Sequence, residues 1–384
     1  VDDMGYKIQT ICVQGENARK EVDNTGSISF PIYQTAAYAH PAVGQSTGYD
    51  YSRLQNPTRE EVERIVADLE KGIDALAFTS GMAAIAALME LFRPGDHIVA
   101  TDDLYGGTIR VFDNISHKNG LHFTYVDSSN EELVEQAINS NTKAIYIETP
   151  TNPNMKVTDI TKIVEIAKKH ACIVIVDNTF LSPYFQNPLV LGADIVIHSG
   201  TKYLGGHNDT LAGFLVTNRY GISEQLRYII KSTGAGLSPF DSWLILRGIK
   251  TLALRMEMHQ KNALTVAKWL SKESKVVEVF YIGLPTHPSF ETTLKQSKGY
   301  GGMISFRVDS EVTAIRILEK VKLIRFAESL GGVESLITYP MYQTHADLPI
   351  ETRKAQGIDE TLLRMSVGIE DIDDLISDLN QAIN

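Results

Sequence analysis

The spacing of hydrophobic positions changes at Thr58. Before it, the first 57 residues are rich in Gly, Pro, Tyr and Thr and show little periodicity. They read as an extended arm that lies on another surface, such as a neighbouring subunit. After it, Val62, Ile65, Val66 and Leu69 recur at helical spacing, with Thr58 and Glu61 ahead of them as a T-x-x-E capping box and Gly72 as the stop. Short apolar runs then alternate with longer periodic ones. The pattern predicts strands at Ala75–Phe78, Ile98–Thr101, Phe123–Asp127, Ala144–Glu148, Ile173–Asp177, Asp194–His198 and Leu211–Thr217. It predicts helices over Gly81–Phe92, Gly107–His117 and Thr158–His170, and a further one capped by Ser129 and Glu132.

Runs such as Ile173–Val176 and Ile195–Ile197 are apolar without a break, as strands buried on both faces are. The alternation implies an α/β layer with a mostly parallel central sheet. Residues 219–270 read as mainly helical. Met303–Val308, Glu311–Val321, Leu362–Val367 and Ile372–Ile383 then imply a smaller C-terminal α+β domain. The expected organisation is an arm over 1–57, an α/β domain over 58–245 and an α+β domain over 246–384.

Composition narrows the function. The chain has 384 residues, 43% hydrophobic and 22% charged, which is ordinary for a globular protein with a large core. Its 36 basic and 47 acidic residues give a net charge of −11 with no basic cluster. That balance argues against nucleic acid or an anionic membrane as partner. Cys12 and Cys172 are far apart and form no CxxC, so a disulfide framework is not indicated and a cytoplasmic setting fits. No apolar run approaches the length of a membrane span, and the first twenty residues lack the apolar centre of a signal peptide.

The chemistry-bearing residues fall at strand ends, where open α/β sheets bind their ligands. Glu148 runs into Thr149-Pro-Thr-Asn152-Pro153, Asp177 into Asn178-Thr179, and His198 into Ser199-Gly-Thr201-Lys202. Thr79-Ser80-Gly81-Met82 turns from a strand into a helix, which suits an anion because free N–H groups converge there. An anion seat, a carboxylate and a lysine at neighbouring strand ends match pyridoxal 5'-phosphate (PLP). Its phosphate needs backbone donors and hydroxyls, its pyridine nitrogen a carboxylate, and its aldehyde an amine of lowered pKa. Other patterns are weaker. Ser199-Gly-Thr-Lys202 also fits S-x-x-K, but the S-D-N and K-T-G partners of that pattern are missing. There is no GxGxxG after a strand, no GxxxxGK[ST] and no HExxH, and the ten histidines show no metal-ligand cluster.

Several longer strings carry a resemblance. They are Asp50-Tyr-Ser-Arg53-Leu-Gln-Asn-Pro-Thr58, Ser80-Gly-Met-Ala-Ala, Asp103-Leu-Tyr105-Gly-Gly-Thr108, Glu148-Thr-Pro-Thr-Asn-Pro153, Val176-Asp-Asn-Thr-Phe180 and Ser199-Gly-Thr-Lys-Tyr-Leu-Gly-Gly-His207. With Ala327–Ser335 and Leu363–Asp371 they resemble the PLP-dependent Cys/Met-metabolism family of transsulfuration enzymes, from about residue 6 to 383. The resemblance implies an aspartate-aminotransferase-like fold (PLP fold type I) and a homotetramer built as a dimer of dimers. It implies a Schiff base between PLP and Lys202, which would also shuttle protons. Asp177 would pair with the ring nitrogen, and Tyr105 would stack on the ring and serve as an acid or base. Gly81, Met82, Ser199 and Thr201 would hold the phosphate, and Thr179 would also contact the cofactor. Tyr51 and Arg53 would complete the neighbour's site. Asn152 would meet the ring's phenolic oxygen and the substrate carboxylate, and Arg364 would clamp that carboxylate. Ser329, Glu328 and Arg110 would complete the substrate site.

Within the family, Gly107 stands where methionine γ-lyases carry Cys, and Ser329-Leu330 lacks the tryptophan of one β-lyase group. His207-Asn-Asp209, Leu237–Trp243 and Gln343–Asp347 look most like Gram-positive cystathionine γ-synthase/O-acetylhomoserine thiol-lyase proteins. The resemblance therefore implies γ-replacement on an O-acylhomoserine by cysteine or sulfide, in methionine biosynthesis. The alternative is cystathionine γ-lyase or β-lyase activity. Gly200, where the family usually has Ala or Cys, is expected to loosen the packing beside Lys202.

Overall fold

The computed structural model describes residues 5–16, 25–344, 346 and 349–384. Seven short strands form the larger sheet: β1 (Asp74–Phe78), β2 (His97–Thr101), β3 (His122–Val126), β4 (Thr142–Glu148), β5 (Ile173–Asp177), β6 (Ile195–Ser199) and β7 (Gly213–Thr217). Their spatial order is β1-β7-β6-β5-β4-β2-β3. From β6 to β3 every pairing is parallel, while β7 runs antiparallel to both of its neighbours. Apolar side chains line both faces. Leu76, Ile175 and Ile197 pack with Ala84 and Leu88 on one side. Val174 and Val176 pack with Ile160 and Ile163, and Val196 with Val62 and Leu69, on the other. Double-sided burial explains the unbroken apolar runs.

The helices differ from the sequence pattern mainly at their ends. The arm contains a helix, α1 (Ile8–Gln14), whose Ile11 and Cys12 are buried in the main core. Helix α2 (Pro57–Glu70) starts from Asn56 rather than from a Thr58–Glu61 box. The Asn56 side chain accepts from the N–H groups of Thr58 and Arg59, and Pro57 occupies the first turn. Thr58 instead donates its hydroxyl to Pro31 O and accepts from Tyr33 N–H, tying the arm down. The left-handed residue ending α2 is Lys71, not Gly72. Helix α3 (Gly81–Met89) is capped by Ser80. Helix α4 (Gly106–Arg110) continues as a π-helical turn, Val111–Ser116, whose Phe112 stacks on Phe123 and meets Tyr146 edge-on. The cap of Glu131–Ala137 is Asn130, one residue past Ser129.

A second sheet has the order β10-β11-β12-β9-β8, made of β8 (Val276–Phe280), β9 (Met303–Val308), β10 (Arg325–Phe326), β11 (Leu336–Thr338) and β12 (Leu362–Ser366). Strands β8, β10 and β11 were not anticipated. β8 is broken by a register shift between Val276 and Glu278, and the other two have two and three residues, too few for a period to register. Residue 245 falls inside the helix Pro239–Ile249, where Ile245 is buried in the core of the larger sheet. The change of core comes later, along Leu252–Leu270: Met256 joins the first core and Ala263 the second. Among the described residues no helix is long and apolar enough to cross a membrane.

Asn56 links arm and helix, since its Nδ2 also donates to Tyr33 O, Tyr38 Oη and Ser52 Oγ. Asn56→Ala removes a cap and leaves buried partners unpaired. The expected loss is about 2 kcal/mol, read as a lower urea midpoint with an unchanged slope.

Candidate active site

Strands β4, β5 and β6 end side by side, with Glu148 in register with Asp177 and Asp177 with Ile197. Beyond these ends lies a cavity of about 360 Å³. The start of α3 and the turn before α4 wall one side, and residues 328–330 with Arg364 of β12 close the other. The cavity thus sits at the carboxyl edge of the parallel strands, between the two sheets.

Lys202 projects into it, and its Nζ donates to Ser329 Oγ at 2.9 Å. Burial, then the positive charge of Arg364, lowers its pKa to about 8, against the opposing pull of Glu328. The turn carrying it is firmly held. Gly206 N–H donates to Lys202 O at 2.7 Å, and buried Arg255 donates to the carbonyls of Tyr203 and Gly248. Ser329 reaches the lysine from a left-handed backbone conformation, φ 96°. The following Gly331 N–H donates to Ser366 Oγ on β12. Gly200 does not loosen this packing. A Cβ there would come within 2.6 Å of the Phe214 ring and 2.9 Å of Ala212 Cβ, so Phe214 already fills the space.

Besides Glu328, two carboxyl groups at the strand ends face the same cavity. Asp177 Oδ1 accepts from the N–H and hydroxyl of Thr179, at 3.0 and 2.6 Å. Thr179 Oγ1 in turn accepts from Ser199 N–H. Burial raises the Asp177 pKa, while the Thr179 hydrogen bonds and the charge of His198 oppose the rise. Glu148 Oε2 accepts from the backbone N–H of Tyr105 at 3.0 Å. Burial, then the charge of Asp177, pushes Glu148 well above the ordinary carboxyl range. Glu148 was absent from the sequence-derived site, although its strand-end position in step with Asp177 was a usable signal. Behind the sheet, His198 Nε2 lies 2.5 Å from Glu70 Oε1, and Asn178 Nδ2 donates to that same oxygen.

The anion seat lies at the start of α3. Ser80 Oγ accepts from Ala83 N–H at 3.0 Å, and Gly81 and Met82 stand in the first turn, where N–H groups lack helical partners. Gly213 must be bare, because a Cβ there would collide with the Ser80 carbonyl. Gly81 likewise approaches Ser199, with only 3.3 Å from its own would-be Cβ to Ser199 Cβ. Ser199 and Thr201 line the same cavity, although Thr201 Oγ1 also accepts from Ala212 N–H. This donor set fits PLP: a helix start with hydroxyls for a phosphate dianion, buried carboxyls for a ring cation, and an amine of lowered pKa for an aldehyde.

Arg364 is 1% exposed. It donates to Asn152 Oδ1 at 2.8 Å, Ser329 O at 3.0 Å and Thr338 Oγ1 at 3.1 Å. Burial lowers its pKa to about 10. Its Nε is buried without a hydrogen-bond partner among the described residues, so the guanidinium retains a donor for a ligand. The structure therefore gathers Gly81, Met82, Tyr105, Asn152, Asp177 and Thr179 around one cavity, and with them Ser199, Thr201, Lys202, Glu328, Ser329 and Arg364. It does not bring Tyr51, Arg53 or Arg110 there. Tyr51 is exposed, Arg53 donates to Lys231 O at 2.7 Å, and Arg110 is exposed at the end of α4. Phe180, Leu330 and Thr344 also line the cavity without having been anticipated. His345 and Asp347 of the Gln343–Asp347 string lie outside the described residues.

Fold and site together define a lysine-based PLP enzyme. The Cys/Met metabolism PLP-dependent enzyme family matches residues 9–384, and the chain belongs to that family. A cystathionine gamma-lyase of Bacillus subtilis (strain 168) is 51% identical over 98% of this chain and 99% of its own. A cystathionine gamma-synthase/O-acetylhomoserine (thiol)-lyase of the same organism is 49% identical over 99% and 97%. The crystal structure of a cystathionine gamma-lyase from Lactobacillus plantarum, complexed with L-serine, superposes with a TM-score of 0.95 at 43% identity, covering 98% of each chain. The protein is a PLP-dependent transsulfuration enzyme.

A buried lysine with a lowered pKa destabilises the apoprotein while it is protonated, and the penalty fades as pH rises from about 8 towards the unfolded value. Lys202→Met is therefore expected to stabilise the apoprotein by on the order of 2 kcal/mol near neutrality. The difference should narrow as pH rises through 8 towards 10, measured by urea denaturation of both proteins across that range.

Proposed function

We infer that the enzyme catalyses γ-replacement, exchanging the acyloxy group of an O-acylhomoserine for the sulfur of cysteine or sulfide. The observation that carries this reading is room for a second substrate. A further cavity of about 970 Å³ adjoins the first and shares Thr201, Leu211, Glu328 and Ser329 with it. Replacement needs an incoming thiol admitted beside the reacting carbon, and this adjoining space has room for one.

The bound cofactor supplies an electron sink beside the substrate's amino group. The protein does the rest. Arg364 and Asn152 hold the α-carboxylate, a geometry suited to charge-assisted pairing. Asp177 balances the ring cation, and Tyr105 covers the ring. Lys202 would hold the cofactor's aldehyde, and its free amine would take the α-proton and return it, because a pKa of about 8 keeps both protonation states accessible near neutrality. Ser329 gives the free amine a fixed resting place. Glu328 stands where the two cavities meet, suited to the ammonium group of an incoming cysteine. Tyr51 and Arg53 do not reach their own chain's cavity, which supports their action in the partner site of a homotetramer. A cytoplasmic place in methionine biosynthesis accompanies this reading.

Product analysis tests it. O-acetylhomoserine with cysteine should yield cystathionine at a higher kcat/KM than cystathionine alone yields cleavage products. Faster turnover of cystathionine alone would overturn replacement in favour of a lyase. Borohydride should fix PLP on the wild type, and Lys202→Ala should retain none covalently, as read by mass spectrometry.

A further inference from the structure

Glu148 has no part in the function proposed above, yet it is 5% exposed and borders the reacting cavity. The groups that face it come from every element around it. Asp177 faces it from β5, Asp103 from the turn after β2, Arg364 from β12, and the Tyr105 N–H from the start of α4; Tyr146 precedes it on β4. Two of these neighbours are acids and one is a cation. Asp103 is already engaged by Asn154 through its N–H and side chain. Asp177 receives two hydrogen bonds from Thr179, and Glu148 one from Tyr105. When two carboxyls share a dry site, the better solvated one keeps the charge and the other takes the proton.

The single bond that Glu148 makes has a geometric consequence. Tyr105 is the residue from which α4 starts, so its main chain sets the direction of its ring. That ring folds over Gly107, where a Cβ would lie 2.5 Å from Tyr105 Cε1 and 3.0 Å from Met82 Sδ. Bare glycine lets the ring lie over the first turn of α4, and the Glu148 carboxyl holds the main chain from which the ring extends.

We propose that Glu148 is a positioning residue: as a neutral carboxyl it anchors the Tyr105 main chain, so fixing the ring that covers PLP, and leaves Asp177 as the anion at the ring nitrogen. This rests on the reading of the cavity as the PLP site. Oε2 accepts from the Tyr105 N–H. An ionised Glu148 would be a second anion beside Asp177 and would compete with it for the cationic ring.

The experiment compares Glu148→Gln, Glu148→Ala and Glu148→Met as apoproteins titrated with PLP, followed by fluorescence quenching and the visible absorption band. Glutamine reproduces a neutral carboxyl, with an oxygen for the Tyr105 N–H and a donor in place of the hydroxyl. Glu148→Gln should keep the PLP Kd within about threefold of wild type, and Glu148→Ala should weaken it about tenfold, the scale of one buried hydrogen bond. Glu148→Met fills the same volume without accepting from the Tyr105 N–H and should weaken PLP similarly, which keeps the test decisive if Glu148→Ala does not fold. The sign of the pH dependence also follows. A carboxyl raised in the folded state contributes stability at low pH that is lost as pH rises through its folded pKa. The Glu148→Gln apoprotein has no such loss, so its Tm advantage over wild type should grow from acid to neutral pH. A Glu148→Gln protein that binds PLP as poorly as Glu148→Ala, beside a wild type that binds it, overturns the role of Glu148 alone. A wild-type apoprotein with no affinity for PLP overturns the cofactor reading as well.

Discussion

The site depends on charged groups being drawn out of water together. Lys202, Asp177, Glu148 and Arg364 all meet at one edge of the larger sheet, Glu148 and Arg364 buried and the other two partly so. Isolated, each would be costly to bury. Together they are held by short hydrogen bonds to fixed partners: Ser329 for the lysine, Thr179 for the aspartate, the Tyr105 main chain for the glutamate, and Asn152 with Thr338 for the arginine. Burial is also what shifts each pKa, down for the cations and up for the carboxyls. A phosphate, a ring cation and a substrate carboxylate complete a charge pattern that the protein leaves half built.

The second sheet makes that arrangement possible. β12 carries Arg364 to the cavity, and Ser366 on the same strand holds the Gly331 turn that presents Ser329. A would-be Cβ at Gly331 lies within 3.2 Å of Lys202 Cβ, so the loop from the C-terminal sheet lies directly against the reactive lysine. Arg255, on the helix spanning both cores, fixes the turn after Lys202 from the other side. Arg364 and the Lys202 amine are thereby set in one frame. Such coupling is what a reaction at a single α-carbon demands, where about 1 Å of misplacement is costly.

Much of this was legible from residue patterns, and the misses have physical causes. Strands such as β5 and β6 showed because two-sided burial leaves unbroken apolar runs. That Lys202, Asp177 and Asn152 come together at one cavity was legible because polar residues follow directly on such runs. The caps were misplaced by one or two residues because Thr58 and Ser129 are as capable as Asn56 and Asn130, and only the arm's contacts decide between them. Glu148 was passed over because a carboxyl ending a strand looks unremarkable until its neighbour across the ladder is also acidic. The π-helical turn after α4 left no trace in the hydrophobic period, since stacking of Phe112 on Phe123 is a contact between distant segments.

By itself the chain of residues determined the alternating architecture, the order of the strand-end side chains and the type of cofactor they suit, because these follow from local periodicity and from the chemistry of side-chain types. Tertiary structure alone decided that Ser329 meets Lys202, that Arg364 meets Asn152, and that Arg110 stays outside the cavity. It also decided that Phe214 fills the space beside Gly200. Each of these is a contact between segments far apart in sequence, and no period or propensity records the distance between two such segments until both sheets are packed.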